Sequence, residues 1–559
     1  MITQLSLRHW PGMRLTWAHG CVVLHSGDEP GAGAMAVAAS SSVANELCVV
    51  VGSHRVRIHP AMIEELADIL AGQLPWGCTG LRLVAWDGAC AEEDRPAPAY
   101  LLAARLGIAV VAPAGPLLGV PGGALFAPRG SGVQRPGGWW RFLPGTAPVR
   151  VGWRFPTPEW ESDVSQVAEL PNDLVIDQIP AGLWLHRHGS GSVTDLVYSV
   201  PVDPADPALV LSHPAEEPLR SDEFAGALNA LSHQTARRVV FTPYGPQPLA
   251  DGRLGEVATV ILGQPARVRT GLPLHTPSGQ RAVVTVDENG VPRWRPFARE
   301  LHHVTPAAPP DAVDWVNPAP AVLTVPAGAA AFDLGYRWVA EVIEAGLWLR
   351  PEHVLEAGDW VRSLPLDVDR CSIVIGAPHA PDPTPPPGLV AALLDQLPSD
   401  ARARLRLSVP RSVGAHVHEF LADLQALLPG TGQVQLLDDE RRYEQPGLPG
   451  HDVGGQSQWQ QGHDGRWSAP VDPWDGRGGQ LAPEVGYQPD VREDPEVDTD
   501  TQTALAQGKE IKSHRNGAKR GRGKGDDEVP TASDTAELKR LLGFFDEIRR
   551  ARAWDEEGD

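Results

Sequence analysis

A thiol and an imidazole are the pair most readily made into a nucleophile and its base, and this chain carries one such pair at suggestive places. His54 follows the apolar run Cys48-Val49-Val50-Val51, and Cys90 follows the run Leu81 to Ala85. In a parallel sheet both would lie just past the ends of neighbouring strands. A working dyad needs them within about 3–4 Å of each other, and its chemistry would be thiol-dependent hydrolysis. The plainer alternative makes His54 a loop histidine and Cys90 a small residue in Gly88-Ala89-Cys90-Ala91.

Other polar groups have weaker spacing. His186 and His188 alternate out of one strand face and, lacking clustered carboxylates or thiols, read as surface polar groups and not as a metal site. His302-His303 and His416-x-His418 read the same way. Ser212-His213 and Pro378-His379 sit past the ends of two further strand-like runs, which suits a shared loop geometry as well as a site. The many tryptophans, Trp139, Trp140, Trp184 and Trp348 among them, fit core or interface packing. No metal and no cofactor is expected.

The five lysines, Lys509, Lys512, Lys519, Lys524 and Lys539, all fall near the C-terminal end. A body without lysine has no P-loop lysine, no Schiff-base lysine and no kinase-type phosphate lysine. Arginine in place of lysine, with abundant Ala, Gly, Pro and Trp, points to an actinobacterial type of genome. The net charge of −22 over 559 residues disfavours nucleic acid and anionic membrane surfaces as general partners. Five scattered cysteines without a CxxC pair suit a reducing compartment. With no secretory pattern at the start and no run of about 18 apolar residues, the expectation is a cytoplasmic chain.

The elements that must position these groups repeat along the chain. Three short apolar runs, Cys48 to Ser53, Ala208 to His213 and Ser372 to Ala377, each precede a helical pattern: Pro60 to Ala71, Ser221 to Ser232 and Pro387 to Leu397. A second run follows each helix (Leu81 to Ala85, Arg238 to Phe241, Leu405 to Ser408), and then a third (Ile108 to Val111, Ala258 to Leu262, Val434 to Leu437). The spacing fits βαβ crossovers. Ala181-Gly-Leu-Trp-Leu185 recurs as Ala345-Gly-Leu-Trp-Leu349, and Gly138-Trp-Trp-Arg-Phe142 is echoed by Arg293-Trp-Arg-Pro-Phe297. Hairpin turns are expected at Pro121-Gly-Gly123 and Glu288-Asn-Gly290. The fold class expected is α/β: three tandem, related, three-layer units, Rossmann-like or caspase-like, at 1–160, 165–305 and 320–440. Ala307-Ala-Pro-Pro310 and Asn317-Pro-Ala-Pro320 read as stiff linkers.

Unit one, over about residues 46–145, resembles a caspase-like, peptidase-like module associated with actinobacterial polymorphic toxins. Leu83-Val84-Ala85-Trp86-Asp87-Gly88, Leu106 to Gly115 and Gly137 to Gly145 carry the resemblance. It implies a cysteine nucleophile where this chain has Trp86, and a His-Gly where it has Gly52-Ser53. An indole neither attacks a carbonyl nor titrates in range. The resemblance therefore implies the fold and argues against the activity: a pseudoenzyme.

Residues 441–532 read as a disordered linker, acidic and then basic, whose basic block Lys509 to Lys524 is the one place where nucleic acid is conceivable. Residues 533–553 read as an amphipathic helix. Leu538, Leu541, Leu542, Phe545 and Ile548 make one apolar stripe, suited to docking into a groove on another protein. The expected function is a non-catalytic scaffold or adaptor in a toxin, secretion or signalling assembly. The competing expectation is a cysteine peptidase-like hydrolase using His54 and Cys90.

Overall fold

The computed structural model describes residues 4–437 with breaks, the longer ones at 53–59, 130–135, 165–169, 320–329, 378–383, 411–419 and 427–433, and beyond them only 460–461 and 467–468. These residues lie in a compact unit that includes Met1–Pro470. It is mixed α/β, built on three large sheets.

Sheet one begins β1 (Gln4–Ser6), β2 (Met13–Ala18) and β3 (Cys21–Ser26), continues after α1 (Ala32–Ser40) into β4 (Glu46–Val51), after α2 (Pro60–Ala71) into β5 (Gly80–Val84), and after α3 (Pro98–Leu106) into β6 (Ala109–Pro113). β7 (Leu118–Gly119) and β8 (Leu125–Phe126) leave as a hairpin. β9 (Trp139–Phe142) and β10 (Val149–Gly152) return to the sheet, and β11 (Arg154–Phe155) joins the hairpin. β3 to β6 are mutually parallel, and the strands on either side of them are antiparallel.

After α4 (Glu161–Val164), sheet two follows the same order. It runs β12 (Leu174–Ile179), β13 (Gly182–Arg187) and β14 (Ala208–Leu211), then α5 (Ser221–Ala230), α6 (His233–Arg238), β15 (Val240–Pro243), α7 (Leu254–Leu262) and β16 (Ala266–Arg269). A side hairpin, β17 (Leu272–His275) and β18 (Arg281–Val284), precedes β19 (Ala298–His303) and β20 (Asp311–Trp315). Sheet three is β21 (Ala331–Gly335), β22 (Trp338–Ile343), β23 (Gly346–Pro351), β24 (Cys371–Ile375), β25 (Leu405–Pro410) and β26 (Val434–Leu437), with α8 (Asp359–Arg362), α9 (Pro387–Gln396) and α10 (Ser399–Arg402) between strands. It too is a hairpin followed by parallel strands.

Helices cover one face of each sheet. Leu66, Leu70 and Leu102 pack with Leu83 and Val110; Phe224, Leu228 and Ile261 with Leu209 and Phe241; Val390, Leu393 and Leu394 with Ile373 and Leu407. Each such side chain contributes roughly 1.5–3 kcal/mol when taken out of water. The second face of sheet two meets Phe126 and Trp153, which arrive from the chain before it. Glycine is required where the hairpin strand meets its parallel neighbour. At Gly182 (φ +149°) and Gly346 (φ +142°) a Cβ would stand 2.2 Å from the carbonyl oxygens of Ala208 and Ser372.

Several expectations need correction. Ala258 to Leu262 is not a strand but the end of α7, closed by Gly263 at φ +61°. A short apolar run fits a buried helix as well as a buried strand; the third parallel strand is β16. The Trp phrases differ in role. Trp139–Phe142 is a strand, whereas Trp294 to Phe297 precedes β19. Ala307 to Pro310 is the turn between β19 and β20 and no linker, so sheet two continues past residue 305 to Trp315. Within the stretch read as disordered, β27 (Gln460–Gln461) pairs with β28 (Trp467–Ser468). Leu538, Leu541, Leu542, Phe545, Ile548 and Lys509 to Lys524 lie outside the described residues.

Candidate functional site: the strand ends

The first residue of the second hairpin strand opens a row of register partners in every sheet: Cys21–Cys48–Arg82, Gly182–Ala208–Val240 and Gly346–Ser372–Arg406. Counting four residues on from the third member gives Trp86, Tyr244 and Pro410. These occupy the strand-end place where an open α/β sheet usually holds its ligand or nucleophile.

In sheet one Trp86 is 41% exposed, and Asp87 behind it holds φ +55°. The Cys90 thiol is half-buried and donates weakly to Asp87 Oδ1 at 3.7 Å. It borders a cavity of about 340 Å³ whose walls include Trp140, Phe142, Pro136 and Pro148. His54 lies outside the described residues, so the dyad is neither assembled nor separated here.

The residues that sequence reasoning missed sit on the hairpins. Two strand residues nine apart in sequence meet on one face in each sheet. Thr16 Oγ1 and His25 Nε2 are 2.8 Å apart, Asp177 Oδ2 and His186 Nε2 3.0 Å, and Arg350 Nε donates to Glu341 Oε2 at 2.6 Å. The signal was available: a polar residue, a two-residue turn, and a second polar residue nine on. His25 is buried, and its Nδ1 meets no partner among the described residues. Burial, with help from Arg14, holds its imidazole below the ordinary histidine range.

Sheet two has the densest cluster. His186, expected at the surface, is buried under Trp184, the rings stacked 4.0 Å apart. Its Nδ1 donates to the carbonyl of Arg187 at 2.8 Å. Past β14, the amide of Ala215 donates to His213 Nδ1 at 3.2 Å, so the other nitrogen carries the proton toward Asp195 Oδ1 at 3.4 Å. Ser212 donates its hydroxyl to Pro248 O at 2.9 Å. Tyr244 packs edge-on against Trp184 and His213, and burial with the nearby Asp195 carboxylate pushes its phenol up. Tyr198 is pushed up by burial, Asp177 and Asp195.

In sheet three Glu341 receives both Arg350 and Arg362, whose guanidiniums lie over Trp348. Burial alone would raise the Glu341 carboxyl; the two arginines overcome it and hold it below the usual carboxylate range.

In sheet two these groups are satisfied within the cluster. Both nitrogens of His186 and of His213 already have partners, and Ser212 points its proton at a backbone carbonyl. Among the described residues no three His, Cys, Asp or Glu side chains stand close enough to hold a metal ion. His302 and His303 point to opposite faces of β19, and His188 is exposed; His379, His416 and His418 lie outside the described residues. No helix among the described residues is long and apolar enough to cross a membrane. No protein-family model, curated protein or solved structure matches the chain.

Proposed function

We propose that the chain is a non-catalytic scaffold or adaptor: a body of three tandem, related α/β units, Rossmann-like or caspase-like, with a partner-docking helix at 533–553. The observation that carries this reading is the strand-end chemistry. At matching places stand Trp86, Tyr244 and Pro410, and the ionisable groups beside Tyr244 are bonded to one another. Three chemically different pairs, Thr16–His25, Asp177–His186 and Glu341–Arg350, hold one geometric position. Geometry kept while chemistry varies is the mark of a structural role. Shared registers and the shared Ala-Gly-Leu-Trp-Leu phrase support the kinship of the units. Unit one is then a peptidase-like shape without its nucleophile, in an actinobacterial type of protein acting in the cytoplasm, within a toxin, secretion or signalling assembly.

The partner is another protein, bound through Leu538, Leu541, Leu542, Phe545 and Ile548, with no membrane partner and nucleic acid conceivable only at Lys509 to Lys524. Deleting 533–559 tests this. The expected result is a body with nearly unchanged melting temperature that no longer recovers the partners of the full chain. Equal recovery by the truncated protein overturns the docking role.

A cysteine peptidase-like hydrolase using His54 and Cys90 is the second reading, favoured by the placement of Cys90 on a cavity beside Trp140. Peptide hydrolysis that disappears in Cys90→Ala would establish it.

A further inference from the structure

Sheets one and two each end on an open edge, and the two edges carry opposite charge. β10 pairs only with β9, and β20 only with β19, among the described strands. No described strand takes up the outer row of backbone N–H and C=O groups of either one, the kind of row that can template another strand, although Ala312 and Trp315 of β20 pack on the core of sheet three. Both edges also show apolar surface: Val149 is 60% exposed and Val313 54%. The β9–β10 hairpin carries Arg141 and Arg150, both exposed, and no carboxylate between Trp139 and Gly152. β20 carries Asp311 and Asp314, both exposed, and no cation; Arg299 of β19 lies 3.8 Å from Asp314, and with Glu300 also on β19 the β19–β20 hairpin keeps an excess of carboxylates.

We infer that the β10 edge of one copy adds to the β20 edge of a second copy, joining sheet one of one molecule to sheet two of the next. Charges on edge strands normally block pairing. Here they block only like with like: two β10 edges repel, two β20 edges repel, and β10 with β20 attracts. Val149 and Val313 supply the apolar contact. The two patches differ, so the contact is heterologous and runs head to tail. It involves neither the C-terminal segment nor the strand-end residues, and so stands or falls apart from the adaptor reading.

Sedimentation velocity on the full chain tests it. The average mass should rise with concentration at low salt and fall back as salt screens the edges. Arg150→Glu alone and Asp314→Arg alone should each stay at the mass of one chain. Mixing the two should restore assembly, because each variant keeps the one edge that the other has lost and the two reversed charges are again opposite. Val313→Lys, at an exposed side chain, should reproduce Asp314→Arg and guards against a misfolded variant; melting curves of all three should match the parent. A parent chain that stays monomeric, single variants that still assemble, or a mixture that remains monomeric would each overturn the inference.

Discussion

Trp184 and Trp348 make the same bond in different sheets: each indole N–H donates at 2.9 Å to the carbonyl oxygen 28 residues on, that of Ser212 and that of Gly376. Both rings are buried, and both sit opposite a valine of the neighbouring parallel strand, Val210 and Val374. The bond ties the hairpin to the turn that ends the next strand. Trp184→Phe and Trp348→Phe keep a ring and delete the donor, leaving a carbonyl short of a partner. Each should cost about 1–3 kcal/mol, read from the midpoint of denaturant unfolding. An unchanged midpoint for one of them would show that the two bonds do different work.

Glu341 accepts from Arg350 at 2.6 Å and from Arg362 at 2.5 Å, and Arg362 also reaches Asp359 at 3.3 Å. Glu341→Gln would leave the buried Arg350 guanidinium without its countercharge. Breaking a buried pair this way costs about 3–5 kcal/mol, whereas removing both charges together can be close to neutral. The expected outcome is a large loss for Glu341→Gln and a much smaller one for the double variant Glu341→Leu, Arg350→Leu. Equal losses in both would mean that packing against Trp348, and not charge, sets the cost.

How much of this was legible in the sequence follows from what each feature depends on. α2 lies where the sequence places it, Pro60 to Ala71, because a proline start and a helical apolar stripe are local signals. The turns at Gly123 and Gly290 were legible for the same reason, since both glycines need positive φ. Ala258 to Leu262 misled because apolar residues all round fit either a buried helix or a buried strand. The hairpin pairs were hidden in another way. Asp177 and His186 become neighbours only when two strands take one register, and nothing local marks that register apart from the turn at Pro180-Ala181.

His303 gives the body a pH dependence. It is buried on β19 against α7, and burial, with Arg253 and His302 adding to it, pushes its imidazole down to about 4. An unfolded histidine titrates near 6.5. Between those values the unfolded chain binds a proton that the folded chain refuses, so stability falls as pH drops. The contribution is complete above about 6.5 and is lost as pH falls through about 4, on the order of 3 kcal/mol in all. His303→Gln should flatten the dependence of unfolding free energy on pH across that window. A slope equal to the parent's would place the acid sensitivity in other groups, the buried His25 first.

Trp86 decides whether unit one is an enzyme missing a single atom type or a shape with no reaction left. It follows β5, at the place matched by Tyr244 and Pro410, and is 41% exposed. An indole so exposed is not a plug in a closed site, so its truncation should be mild: about 1 kcal/mol for Trp86→Cys, the ordinary cost of a substitution outside the core. The new thiol would still need a base with a free nitrogen. His25 has an Nδ1 unbonded among the described residues, but the ring is buried with Nε2 bonded to Thr16, and burial disfavours the imidazolium that a thiolate pair requires. Trp86→Cys should therefore fold, react slowly with alkylating reagents at neutral pH, and cleave no member of a peptide library. Thiol-dependent cleavage by that single variant would show that a competent base already stands beside the strand end, and the scaffold reading of unit one would have to be abandoned.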